Sequence, residues 1–223
     1  MIFRALLALA FAATVVGTAP PARAGQVLVA SDRCNGRMID DYSQELRDLQ
    51  ARPPRGDQGS LARQFGKVEA VLNSLNEERG IIDSVCASDE AKAPLFAQLA
   101  VTAAQGLLTE SDLALKLNLP CPPAANAFAQ QLVAQAWLNI ANVVNETGSA
   151  PPRDITEAAA PIQARATALG MTLPAFAETS AYWRDGFTAK AKDAVLACPS
   201  PSPSASPSPI GEPPFDRLRV TGS

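Results

Sequence analysis

Apolar residues recur at alternating intervals of four and three positions in two well-separated stretches of the chain, and this spacing strongly constrains the fold. In the first stretch the apolar residues are Leu61, Phe65, Val68, Leu72 and Leu75. In the second stretch they are Ile155, Ala159, Ile162, Ala166 and Leu169. Such spacing places the side chains on one face of an α-helix, where they pack against other helices. The pattern predicts a helical bundle.

A further apolar stripe precedes the first of these stretches and indicates a helical hairpin. Its residues are Ile39, Tyr42, Leu46 and Leu49. The Pro53-Pro54 pair then predicts a loop at residues 52–57, because proline interrupts helical hydrogen bonding. Alanine and leucine are abundant, whereas aromatic residues make up 5% of the chain, which favours helix over sheet. We therefore expect an all-α bundle of about five to six helices that includes an N-terminal antiparallel hairpin.

Local signals predict where several helices begin and end. The charged residues 77–80 indicate an end or a kink in the second helix, and Pro94 suits the first turn of a third helix. Thr109 with an acidic residue three positions later predicts that a short helix restarts there. Pro161 predicts a kink or a restart of its helix, Gly170 a helix end, and residues 172–174 the start of the final helix.

The first 24 residues have the features of a cleavable secretory signal peptide. Arg4 supplies the positive charge, residues 5–16 are apolar and uncharged, and Ala22-Arg23-Ala24 has the small-x-small pattern of a cleavage site. The alternative is a membrane anchor, which needs about 20 apolar residues, and the apolar segment at residues 5–16 is shorter than that. We expect a signal peptide at 1–24, a helical domain at 25–199 and a disordered Pro/Ser-rich tail at 200–223, with no membrane span after cleavage.

Four cysteines follow the signal peptide, and an even number in an exported chain indicates two disulfide bonds. They are Cys34, Cys86, Cys121 and Cys198. The hairpin brings Cys86 back toward Cys34, so we favour the pairing Cys34–Cys86 and, by elimination, Cys121–Cys198. The other two pairings remain open. Export and disulfides together favour the periplasm, with the extracellular medium as the alternative.

The chain contains no histidine, and this absence excludes several classes of chemistry. Ser-His-Asp and Cys-His catalysis, zinc sites of the H-E-x-x-H type and C-x-x-C-H haem attachment all require histidine. No Gly-rich phosphate loop is present, and we expect no cofactor and no metal. The formal net charge of −3 argues against binding to nucleic acid, which requires a concentrated basic face.

Carboxylates are the remaining candidates for catalysis. Adjacent acidic pairs occur at residues 40–41, 77–78 and 89–90, and we interpret them as solvated helix faces. The pair Glu110-Ser111 resembles the catalytic Glu-Ser of lytic transglycosylases, which are all-helical exported enzymes. The aromatic and Gly-rich residues expected after that pair are absent here. Glu110 is therefore a weak catalytic candidate.

One helix has an unusual polar face, because no charged residue lies between Lys116 and Glu146. The polar residues there are Gln131, Gln135, Asn139 and Asn142, and Trp137 lies near them in the sequence. We interpret the segment as a helix largely enclosed by its neighbours. The alternative is a face that binds a neutral glycan. Residues 182–184 are of types enriched at protein interfaces, so a partner surface is an alternative there. Trp183 fits the core stripe, which leaves Tyr182 and Arg184 as outward candidates, and we favour core packing.

These observations predict an exported, periplasmic helical protein that acts by binding or as a structural component. Its expected partner is an envelope protein or a glycan. The alternative is a carboxylate-dependent enzyme that acts on glycans such as peptidoglycan, with Glu110 as its catalytic residue.

Overall fold

A computed structural model describes residues 34–117, 119, 121–147 and 153–199. In this part of the chain the helices are α1 (Arg37–Ala51), α2 (Gln58–Val85), α3 (Asp89–Lys116), α4 (Pro122–Thr147), α5 (Arg153–Ala168) and α6 (Ala181–Leu196). A 3-10 turn at Phe176–Glu178 precedes α6, and these residues contain no strand. The all-α bundle is confirmed. The proposed signal peptide and residues 200–223 lie outside the described residues.

Helices α1 and α2 form the predicted hairpin around the loop at residues 52–57. Asp57 begins α2, because its carboxylate accepts a hydrogen bond from the Ser60 backbone N–H at 2.7 Å. The Gln64 side chain donates to the Leu49 carbonyl oxygen at 2.7 Å, which satisfies a carbonyl in the last turn of α1. The apolar stripes of both helices face each other and α3. Their fully or almost fully buried members include Ile39, Leu46, Leu61, Val68, Leu75 and Ile82.

The predicted helix end at residues 77–80 is wrong, because α2 continues to Val85. Glu78 is only 2% exposed, and it extends the buried series from Val71 and Leu75 to Ile82 at intervals of four, three and four. The interpretation of residue 78 as part of a solvated face is therefore also wrong. Gly80 lies on the outer side, where an added Cβ would meet nothing within 4 Å. A glycine at such a position weakens a helix without ending it.

Helix α3 begins earlier and runs further than predicted. It begins at Asp89 because the Ser88 hydroxyl accepts a hydrogen bond from the Ala91 backbone N–H, so Pro94 lies inside the helix. Thr109 does not start a new helix. Its hydroxyl donates to the carbonyl oxygen of Gln105 at 2.8 Å, within one unbroken helix.

The end of α5 is confirmed, and the predicted start of the final helix is wrong. Helix α5 runs through Pro161 as one element, and it ends where Gly170 adopts a φ of +65°. The Met171 backbone N–H then bonds to the Ala166 carbonyl oxygen at 2.8 Å, as expected of a left-handed helix cap. Residues 172–174 precede the 3-10 turn, and α6 begins only after Ser180, whose hydroxyl caps it.

Helix α4 is central in this part of the chain. It packs against α3, α5, α6 and the 3-10 turn, whereas α2 packs against α1 and α3. Its buried residues include Val133, Ala136, Trp137 and Ile140. A second apolar cluster lies among α1, α2 and α3, and partly buried Phe65 and Leu72 contact both clusters. None of the described helices is long and apolar enough to cross a bilayer.

Both favoured disulfide pairings are confirmed. Cys34 and Cys86 are joined by an S–S bond of 2.07 Å, and Cys121 and Cys198 by one of 2.00 Å. The first bond closes the α1–α2 hairpin at its open end. The second connects the residue before α4 to the end of α6. Each bond therefore fixes one end of the described domain.

Candidate functional site

Four amide residues of α4 form a row along one side of the helix. Gln131, Gln135, Asn139 and Asn142 are each half-buried, and the residues on both sides of the row are mostly buried. Their spacing of four, four and three residues places them on one stripe of the helix. Glu146, four residues further on, is exposed and continues that stripe. We call the four amide residues together with Glu146 the amide row.

Hydrogen bonds connect the middle of the amide row to α6. The Gln135 Nε2 donates to Asn139 Oδ1 at 2.7 Å, and Arg184 Nη1 donates to Gln135 Oε1 at 3.1 Å. The Arg184 guanidinium also pairs with Asp185. Gln135 is therefore fixed by both of its polar atoms, while its neighbours in the row retain hydrogen-bonding groups that face solvent.

Trp137 lies on the opposite side of α4 from the amide row. Successive helical residues are rotated by about 100°, so Trp137 is rotated by roughly 160° from its neighbour Asn139 in the row. The indole is 3% exposed, stacks on Phe176 at a centroid distance of 4.5 Å, and donates its Nε1–H to the Pro174 carbonyl oxygen at 3.0 Å. Trp137 thus belongs to the core, and no ligand on the amide row contacts it.

A cleft of about 370 Å³ lies at the C-terminal end of the amide row. Its lining residues are Asn76, Arg79, Gly80 and Asp83 of α2, Phe96 of α3 and Glu146 of α4. The Arg79 guanidinium lies over the Phe96 ring, 5.5 Å from its centroid, in cation–π contact. Lys92 pairs with Asp83 at 3.1 Å on its edge. Sequence reasoning missed this cleft, because its walls come from three separate helices.

Glu110 lies inside the bundle and not in a cleft. It is 4% exposed, and Oε1 has no hydrogen-bond partner within the described residues. Burial, assisted by the negative charge of Glu69, raises the pKa of Glu110 from 4.5 to about 8. A second cleft of about 340 Å³ lies among α1, α3 and α5, and Glu110 lines neither cleft.

Ser111, the neighbour of Glu110, has a packing role between three helices. Its fully buried hydroxyl approaches the Ala129 carbonyl oxygen of α4 at 3.3 Å and accepts from Arg165 Nε of α5 at 3.2 Å. Arg165 also pairs with Asp112. These contacts give Ser111 and Asp112 a structural role, because both hold Arg165 of α5.

The remaining sequence candidates are dispersed over the surface. Tyr182 is 90% exposed, while Trp183 is half-buried and packs edge-on against Phe187 at 5.1 Å. Within the described residues, no group of three or more Cys, Asp or Glu side chains is arranged to hold a metal ion. Among the residues predicted from the sequence, those of the amide row therefore form the most extended polar feature, and the cleft adjoins them.

No protein family matches this chain, and no curated protein or solved structure is significantly similar to it.

Proposed function

We propose that the protein is exported to the periplasm, or beyond it to the medium, where it acts by binding an envelope component or as a structural part of the envelope. The observation that carries the proposal is the pair of disulfides that fixes both ends of the domain. Structural disulfides form and persist in oxidising compartments. They agree with the export signal expected in residues 1–24.

The surface of α4 favours binding as the mode of action. Helix α4 is enclosed on most sides, and Gln135 is held by hydrogen bonds to Asn139 and Arg184, so the middle of the amide row presents its groups in defined positions. Preorganised polar groups lose little conformational entropy when a ligand binds. The cleft beside Arg79 adds a concave surface at one end of the row.

Two measurements on the full chain produced in a bacterial host test this proposal. Fractionation followed by intact mass analysis should find a periplasmic product that begins at Gly25, and non-reducing peptide mapping should find both disulfides. In-cell cross-linking with mass spectrometry should then recover one envelope component reproducibly. A cytoplasmic product that retains residues 1–24, with four reduced thiols, would contradict export. Export without any reproducible cross-link would contradict the binding role.

A glycan-acting enzyme is the second candidate, and the raised pKa of Glu110 is the observation that favours it. A carboxyl group with a pKa of about 8 is protonated at neutral pH, as a general acid must be. Its burial away from both clefts opposes the idea, because a general acid must reach the bond it protonates. Release of soluble fragments from purified peptidoglycan, abolished by Glu110→Gln, would support the enzyme. No release by the wild-type protein would eliminate it.

A further inference from the structure

We infer that the amide row and the cleft at its end form one continuous site for an uncharged glycan strand. The inference rests on the proposed binding function and names its ligand class. It is carried by the continuity of the surface, by its hydrogen-bonding groups and by its balance of charge.

The amide row leads directly into the cleft. Asn142 and Glu146 are separated by one helical turn, and Glu146 also lines the cleft. Gln131 and Glu146 are fifteen positions apart, which at a rise of 1.5 Å per residue is roughly 22 Å. The cleft extends this length toward α2. A surface of this shape fits a linear chain better than a compact molecule.

The amides provide both donors and acceptors along the row. Each Asn or Gln side chain carries an NH2 group and a carbonyl oxygen. Within the described residues, the side chains of Gln131 and Asn142 form no hydrogen bond with protein, and Asn139 uses only its oxygen. Sugar hydroxyl and acetamido groups likewise both donate and accept. The amide row therefore matches the hydrogen-bonding pattern of a glycan at successive turns of the helix.

The charges around the site balance, which favours a neutral ligand. Gln131, Gln135, Asn139 and Asn142 carry none. The cleft carries the cation of Arg79 and two carboxylates, and Lys92 pairs with Asp83 at its edge. An anionic or cationic ligand would therefore find no excess of opposite charge.

Arg79 lines the cleft with a polar group, and Phe96 lines it with an apolar ring. The cation–π contact at 5.5 Å holds the guanidinium in place, so its N–H groups have a defined direction. The side of Phe96 that faces the cleft is apolar and suits the C–H groups of a sugar ring. This combination resembles the mixed polar and apolar lining of ligand sites in general.

Binding of a defined oligosaccharide tests the inference. The probe is a hexasaccharide of β-1,4-linked N-acetylglucosamine, titrated into the disulfide-bonded mature protein and followed by calorimetry and by side-chain amide NMR signals. We expect saturable binding that shifts the amide signals of Asn139, Asn142 and Gln131. The double variant Gln131→Ala/Asn142→Ala should bind at least tenfold more weakly, which equals about 1.4 kcal/mol.

Gln163→Ala is the matched control, because Gln163 is an exposed amide on α5, away from the row. It should bind like the wild type. The double variant removes half-buried side chains without protein hydrogen bonds, so its melting temperature should remain close to that of the wild type. Binding of the hexasaccharide with unchanged affinity by the double variant, or no binding at millimolar concentration, would overturn the inference.

An uncharged extended peptide is the competing ligand. Titration with an unstructured Gly/Ser/Asn hexapeptide distinguishes the two, and tighter binding of the peptide than of the hexasaccharide would overturn the glycan assignment. If the hexasaccharide does not bind while cross-linking still recovers an envelope protein, this inference fails and the proposed binding function stands. If the chain is neither exported nor oxidised, the proposed function itself fails.

Discussion

Replacing Glu110 by glutamine should change how the free energy of unfolding depends on pH. Glu110 lies one turn from Gly106, which packs against Leu72 of α2, and next to Ser111, which contacts α4. From α2 it experiences the negative charge of Glu69. No charge acts on Glu110 from α4, since that helix has no charged residue before Glu146. Burial and the charge of Glu69 therefore both oppose ionisation of this carboxyl group.

The direction of the effect follows from the two pKa values of Glu110. Its pKa is about 8 in the folded protein, against an ordinary value of 4.5. Between these values the folded state holds a proton that the unfolded chain has released, so stability decreases as the pH rises. At about 1.4 kcal/mol per pH unit the total loss is about 5 kcal/mol, and it is complete only above pH 8. At pH 7 about 3 kcal/mol is already lost.

Glutamine occupies a similar volume and cannot ionise, so Glu110→Gln should abolish this loss. Below pH 4.5 the variant and the wild type should have nearly equal free energies of unfolding. The advantage of the variant should then grow with pH to about 4 kcal/mol at pH 8. Urea unfolding with both disulfides intact, at pH 4, 6 and 8, measures the difference.

Two further variants separate the causes. Glu77→Gln alters an exposed carboxylate of α2 and should leave the pH dependence unchanged. Glu69→Gln removes the second cause of the raised pKa, so the titration midpoint of Glu110, measured by NMR of its side-chain carboxyl carbon, should decrease while staying above the ordinary value of 4.5. A free-energy difference between Glu110→Gln and the wild type that is the same at all three pH values would refute the argument.

Three other changes have effects that follow from local geometry. Replacing both Cys34 and Cys86 by serine opens a connection across 52 residues and should lower the free energy of unfolding by about 4 kcal/mol, measured by urea denaturation. Gly106→Ala would place a Cβ 2.7 Å from Leu72 Cδ2 and should cost about 1–3 kcal/mol. Gly66→Ala, at a helical position with nothing within 4 Å, should instead stabilise the protein by up to about 1 kcal/mol. A Gly106→Ala protein as stable as the Gly66→Ala protein would contradict the close packing of α2 on α3.

The sequence predicted those features of the fold that depend on short-range periodicity. The apolar stripe from Leu61 to Leu75 specifies which face of α2 is buried, and the hairpin that follows from it favours the pairing of Cys34 with Cys86. Helix ends were less predictable where one side chain has two possible partners. The Thr109 hydroxyl is able to cap a new helix, but it bonds back to Gln105 and also accepts from Gln50 of α1 at 2.8 Å.

The candidate site was predictable only along its own helix. The spacing of the amides identifies the row on α4, because residues three and four apart share a face. The cleft required the relative positions of α2, α3 and α4, which no local spacing specifies. Glu78 illustrates the same limit: its charge suggested a solvated position, but the buried series on α2 includes it.

The absence of charge on α4 before Glu146 connects the two main features of the molecule. A helix that packs against α3, α5, α6 and the 3-10 turn has almost no position where a charged side chain would stay hydrated, and burying an unpaired charge is costly. Amides tolerate the half-buried stripe, because they need hydrogen bonds but carry no net charge. Burial and the negative charge of Glu69 keep Glu110 protonated at neutral pH, and α4 has no charged residue before Glu146 that would oppose them. The variants Asn139→Asp and Asn139→Lys would test both consequences. Either charge should weaken the binding of a neutral glycan, and neither should provide Glu110 with a partner.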